Sequence, residues 1–189
     1  NDMEFKYAYE YYGCTVPLVM TSLNQKCTFT IAQAIALNLG VMPLGPAGTG
    51  KSETVKDLGR TVGRLVVVFN CTDKMNSLQL GRIFTGLAQL GAWGNFGEFD
   101  RIPLEVLSVA AQQVSVIMSA IRKYQTQVVF VDGNNITVDF NVSFFITLNP
   151  SYVGRYALPE NLSCLFRPVA MVVPDRYQIM LVKLTSVGL

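Results

Sequence analysis

The segment Gly45-Pro46-Ala47-Gly48-Thr49-Gly50-Lys51-Ser52 fits the pattern GxxxxGK[ST] at every fixed position. It constrains the fold more than any other stretch, because the pattern works in one setting: a loop that leaves a buried strand and opens a helix. Both neighbours are present. Val41 to Leu44 is a short apolar run, and Lys51 to Val62 has helical periodicity. Glycines allow backbone N–H groups to turn inward around phosphate oxygens, and the helix directs its positive end at the same anion. The anion-binding set on this reading is Gly45, Pro46, Ala47, Gly48, Thr49, Gly50, Lys51, Ser52 and Glu53. Lys51 is expected to reach the β- and γ-phosphates, and the Ser52 hydroxyl to ligate Mg²⁺.

The rest of the chain reads as alternating elements. Helices are expected over Thr28–Leu39, Ser77–Leu90, Pro103–Lys123, Pro159–Phe166 and from Asp175 to about Val187. Leu65–Phe69 is continuous and β-branched, which suits a strand buried on both faces. Gly91–Phe96, Ser143–Leu148 and Val169–Val173 are further strands. Val128–Val131 and Ile136–Phe140 flank Asp132-Gly133-Asn134-Asn135, a turn-rich sequence, so a small hairpin is expected. Strand–helix alternation predicts an α/β fold of three layers with a mostly parallel sheet. The 189 residues make one domain, 1–189, with residues 1–27 as an irregular lead-in.

Composition narrows the partners. Half the residues are apolar and 15% are charged, which suits a sheet covered on both faces. A net charge of +2 gives no reason to expect nucleic acid or an anionic membrane as partner. Cys14, Cys27, Cys71 and Cys164 show no CxxC spacing and histidine is absent, so a mixed zinc site is excluded and mostly buried thiols are expected. Asn1–Glu10 is too polar and acidic for a secretory leader. Ile102–Ile121 is apolar but amphipathic. Leu107, Ala110, Ala111, Val114, Ile117, Met118 and Ile121 share one face, with Ser108, Gln112, Ser115, Ser119 and Arg122 opposite, so it reads as a core helix.

A phosphate loop of this type works with a second, acidic strand end, an Asp that orients the metal shell followed by a Glu that polarises water. The candidate is Asn95-Phe96-Gly97-Glu98-Phe99-Asp100. Glu98 occupies the general-base position, and Gly97 stands where the Asp is expected. Asp100 lies beyond the strand end and is expected to be solvated. The strand over Phe144–Leu148 ends in Asn149, whose amide can contact the γ-phosphate or the attacking water. Arg167, between a short helix and an apolar strand, can project toward a neighbour's nucleotide as an arginine finger.

These residues, with Phe5–Tyr11, Gly45–Arg60, Asn70–Asp73, Gly91–Gly94, Glu105–Val109, Ile146–Arg155 and Leu158–Asp175, resemble the first AAA+ module of dynein heavy chains over nearly the whole chain. The resemblance implies a large nucleotide-binding subdomain that binds ATP or ADP with Mg²⁺. Hydrolysis there drives a linker swing that moves the motor along microtubules. It implies Lys51 and Ser52 on phosphate and metal, Glu98 activating water and Asn149 as sensor. It sets Pro17, Leu18 and Val19, in the segment up to Met20, against the adenine. Arg167 matches a finger that serves an adjacent AAA+ module. The short Tyr124–Val142 segment is similar to axonemal rather than cytoplasmic members, implying a cilium or flagellum.

The chain departs from that family in three ways. Cys-Phe-Asp-Glu-Phe-Asn has become Asn95–Asp100, which removes the Asp at Gly97 and is expected to slow hydrolysis more than it weakens binding. NPGYAGR has become NPSYVGR, with little effect expected from Ser151 and Val153. The chain stops about where a helical lid would begin, so it reads as part of a much larger motor chain and is expected to hydrolyse ATP poorly in isolation. The alternative is a nucleotide-binding structural or regulatory module with little turnover. A small P-loop kinase would not explain the dynein-like blocks.

Overall fold

A computed structural model of the chain describes residues 3–13, 15–130, 133, 135–149 and 158–188. In order the elements are α1 (Ser22–Ala36), β1 (Gly40–Leu44), α2 (Lys51–Val62), β2 (Val66–Asn70), α3 (Ser77–Leu90), β3 (Trp93–Gly97), α4 (Leu104–Arg122), β4 (Gln127–Val129), β5 (Asn135–Thr137), β6 (Ser143–Ile146), α5 (Glu160–Ser163), β7 (Phe166–Ala170) and α6 (Arg176–Val187). Five strands form one sheet in the order β2-β3-β6-β1-β7, and every pairing in it is parallel. The expected hairpin is present, with Val128 opposite Ile136. Of its turn, Asp132 and Asn134 lie outside the described residues, as do Cys14 and the block from Pro150 to Arg155.

Alternation along the strands divides the core into two layers. Met42, Phe96, Phe144 and Ile146 pack with α3 and α4 on one side. Val41, Trp93, Phe145 and Val169 pack with Ile31 of α1 and Val55 and Leu58 of α2 on the other. Helix α4 is long and apolar enough to cross a membrane by composition. It is a core helix here: Leu107, Ala110, Ala111, Val114, Ile117, Met118 and Ile121 are all buried, while Ser108, Gln112, Ser119 and Arg122 are exposed.

Four boundaries or burials differ from expectation. β2 is an edge strand and only half-buried, because among the described residues no strand pairs with its outer side. α1 begins six residues earlier than Thr28, at Ser22, where the Thr21 hydroxyl accepts the Asn24 N–H at 3.3 Å and caps it. α5 is a single turn, and β7 starts at Phe166 rather than Val169. Its pairing with β1 begins at Gly40↔Phe166, and Pro168 is tolerated inside it because the strand lies at the sheet edge. Of the thiols, Cys71 is buried, Cys27 half-buried and Cys164 exposed.

Candidate nucleotide site

The loop between β1 and α2 leaves a central strand and is closed by local backbone geometry. Gly48 and Gly50 both have φ of +79°, a region that excludes most side chains. At Gly45 the limit is space: a Cβ there would come within 2.3 Å of the Met171 carbonyl, so the loop packs directly on the chain leaving β7. The buried Thr49 hydroxyl donates to the Pro46 carbonyl at 2.9 Å and ties the turn across itself. Lys51 starts α2, and its ammonium donates to the carbonyls of Gly45 and Pro46, each at 2.7 Å. It therefore lies folded over the loop mouth. Burial pushes this amine below its ordinary pKa, while the carboxylates of Glu98 and Asp100 push it back up.

β3 delivers the acidic half. Glu98 follows the strand in a left-handed conformation, φ +53°, unusual for a residue with a side chain. Its N–H donates to the Thr147 hydroxyl at 3.3 Å, and its carboxylate pairs with Arg101. Thr147 is itself buried and hydrogen-bonded into the sheet, its N–H donating to Phe96 O at 2.9 Å. Lys51, Ser52, Gly97, Glu98 and Asn149 line one cavity of about 550 Å³ beside the loop. Asp100 is not solvated as expected. It is 6% exposed in the 3-10 turn Phe99–Arg101, close enough for its charge to act on Lys51 and Cys71.

Gly97 is not forced by packing. A Cβ built there would meet Asn70 Oδ1 at 3.1 Å and backbone no closer than 3.6 Å, so a side chain fits with a small shift of the Asn70 amide. The consequence of Gly97 is chemical: this strand end lacks one carboxylate. Ser52, Glu98 and Asn149 still present hard oxygen donors to one cavity. That set fits Mg²⁺, which takes one or two protein ligands and fills its shell with phosphate oxygens and water.

Other expected positions separate. Leu18 and Val19 line a second, more apolar cavity of about 330 Å³ that shares Gly48 and Gly50 with the first. Pro17 faces a different cavity on the flank of α2, and Met20 is exposed. Glu53 lines the first cavity but pairs with Lys56 at 2.7 Å. Arg167 is exposed on β7, opposite Val41, near the start of its strand and away from the loop that follows Leu44. Sequence reasoning missed Arg101 and Thr147. Arg101 follows Glu98 by three residues, a spacing that could have flagged it, but Thr147 becomes legible only once β3 and β6 are neighbours.

A five-stranded parallel sheet with a phosphate loop after β1 and an acidic residue at the end of β3, one strand beyond the intervening β6, defines a P-loop nucleoside-triphosphatase fold of the AAA+ class. The family described as "Hydrolytic ATP binding site of dynein motor region" matches residues 7–189, and the chain belongs to it. Dynein axonemal heavy chain 5 of Rattus norvegicus is 54% identical over 188 residues, covering 100% of this chain and 5% of the relative. Dynein axonemal heavy chain 8 of Homo sapiens is also 54% identical over 188 residues, covering 100% of this chain and 4% of the relative. The flagellar outer-arm dynein gamma chain of Chlamydomonas reinhardtii is 51% identical over 187 residues, covering 99% and 4%. The chain thus spans about a twentieth of the relatives it matches, and these relatives are axonemal and flagellar dyneins.

Proposed function

We infer that this module binds ATP with Mg²⁺ and hydrolyses it within a ciliary or flagellar dynein motor, coupling nucleotide state to linker movement. The observation that carries the reading is the convergence of Lys51, Ser52, Glu98 and Asn149 on one cavity at the carboxyl ends of β1, β3 and β6. Backbone N–H groups of Gly45 and Ala47–Gly50 hold the phosphates, and Lys51 exchanges its loop carbonyls for β- and γ-phosphate oxygens. Ser52 would hold the Mg²⁺, which would supply positive charge to offset that of the phosphates. Glu98 orients a water toward the γ-phosphorus and takes its proton as the bond to the β-phosphate oxygen breaks. Asn149 contacts the γ-phosphate or the water, and Leu18 and Val19 lie against the adenine. Arg167 serves an adjacent AAA+ module, and microtubules are reached only through the full motor.

A second reading, a regulatory site with little turnover, is favoured by Gly97. The two separate on one comparison in the complete motor. Gly97→Asp is expected to raise ATP turnover by about tenfold or more, the scale of one charge-assisted hydrogen bond made only in the reacting complex, with ATP affinity nearly unchanged. Unchanged turnover would show that the missing carboxylate does not limit this site.

A further inference from the structure

Thr147 grips the turn that carries Glu98 at three points. Its N–H donates to the Phe96 carbonyl at 2.9 Å, its carbonyl accepts the Phe99 N–H at 3.3 Å, and its hydroxyl accepts the Glu98 N–H at 3.3 Å. The first two are main-chain bonds that any residue but proline makes at this point. The third needs a side-chain oxygen, and it falls on Glu98, whose backbone is left-handed with φ of +53°. Such a conformation is strained for a residue with a side chain and persists where its surroundings fix it. Thr147 is itself fixed. It is buried, and the next residue, Leu148, donates its N–H to the Pro43 carbonyl of β1 at 3.2 Å. The chain at the end of β6 thus ties the Glu98 turn to the strand that feeds the phosphate loop.

We propose that Thr147 is a positioning residue for ATP hydrolysis: its hydroxyl fixes the Glu98 backbone, and so sets where the carboxylate stands relative to the phosphate loop. This role rests on the nucleotide-site reading above, with Glu98 as the base. Thr147, Glu98 and Lys51 line the same cavity. Exchanging the hydroxyl for a methyl group keeps the shape of the side chain and both main-chain bonds, but it sets an apolar group against the Glu98 N–H. A main-chain donor that loses its acceptor favours any rearrangement that finds another. A left-handed glutamate has lower-energy backbone conformations available to it. The change leaves the loop amides, Lys51 and Ser52 as they are, so nucleotide binding is not expected to follow the base. Misplacing a reacting group by about 1 Å costs up to about a hundredfold in rate.

The test compares Thr147→Val and Thr147→Ser with the unaltered sequence in the complete heavy chain. In Thr147→Val, turnover at saturating ATP is expected to fall by about tenfold or more, while photolabelling of this segment by 2-azido-ATP saturates at a nearly unchanged concentration. Amide hydrogen exchange in peptides spanning Phe96 to Ile102 is expected to quicken in the same variant. Thr147→Ser keeps the oxygen and is expected to restore both turnover and protection. Unchanged turnover in Thr147→Val, an equal loss in Thr147→Ser, or a loss of labelling as large as the loss of turnover overturns the proposal and leaves the nucleotide site standing. No label in this segment of the unaltered chain overturns the site and the proposal together.

Discussion

Cys71 and Cys164 carry the same thiol in opposite surroundings. Cys71 follows β2 on the floor of the phosphate cavity, 2% exposed, and its N–H donates to Gly97 O at 2.9 Å. Burial first, then the nearby carboxylates of Asp100 and Glu98, push its thiol up to about 12. Since the thiolate is the nucleophile, N-ethylmaleimide at mildly alkaline pH is expected to modify Cys164 and spare Cys71 in the folded protein. Peptide mapping checks this, and equal modification would place Cys71 outside the core. The folded-state value lies above the ordinary 9.0, so the unfolded chain loses its proton first. The stability Cys71 contributes is complete below pH 9 and is lost as pH rises toward about 12. Glu98 shows the other side of residue-scale physics: its left-handed backbone is held by the Thr147 hydroxyl and the Arg101 pair.

At the scale of the element, β3 carries a conflict between sequence and setting. Asn95 is fully buried between two parallel neighbours, on the face it shares with Trp93, and neither its amide nitrogen nor its oxygen has a partner among the described residues. Asn95→Val is therefore expected to stabilise the fold by about 1–3 kcal/mol, measured by denaturant unfolding, because it removes a desolvated amide and adds β-branching. A destabilised variant would mean the amide is satisfied by a group or water inside the fold. The same scale shows what a sequence can and cannot tell. α2, α3 and α6 run as read, because their ends carry local signals: Gly63 and Gly91 in left-handed caps, and an Asn76–Gln79 capping box. Neither the edge position of β2 nor the start of β7 has such a signal. Both are set by which strand pairs with which, and a run of valines looks alike at the centre and the edge of a sheet.

For the whole molecule, the phosphate loop was legible because eight consecutive residues carry its mechanism. The cavity it serves was only partly so. Gly97, Glu98 and Asn149 were visible as strand ends, whereas Thr147 and Asp100 take their meaning from distant elements that the fold brings beside them. The sheet order brings those strand ends together around the loop, and the function of the site depends on that loop cradling polyphosphate. The direct measurement is equilibrium binding of ATP at this segment in the complete heavy chain, for the unaltered sequence and for Lys51→Ala. Lys51→Ala is expected to lose about 1.5–3 kcal/mol, roughly tenfold to more than a hundredfold in affinity, because one charge-assisted phosphate contact is removed. Affinity left intact without the Lys51 ammonium would contradict phosphate binding by this loop.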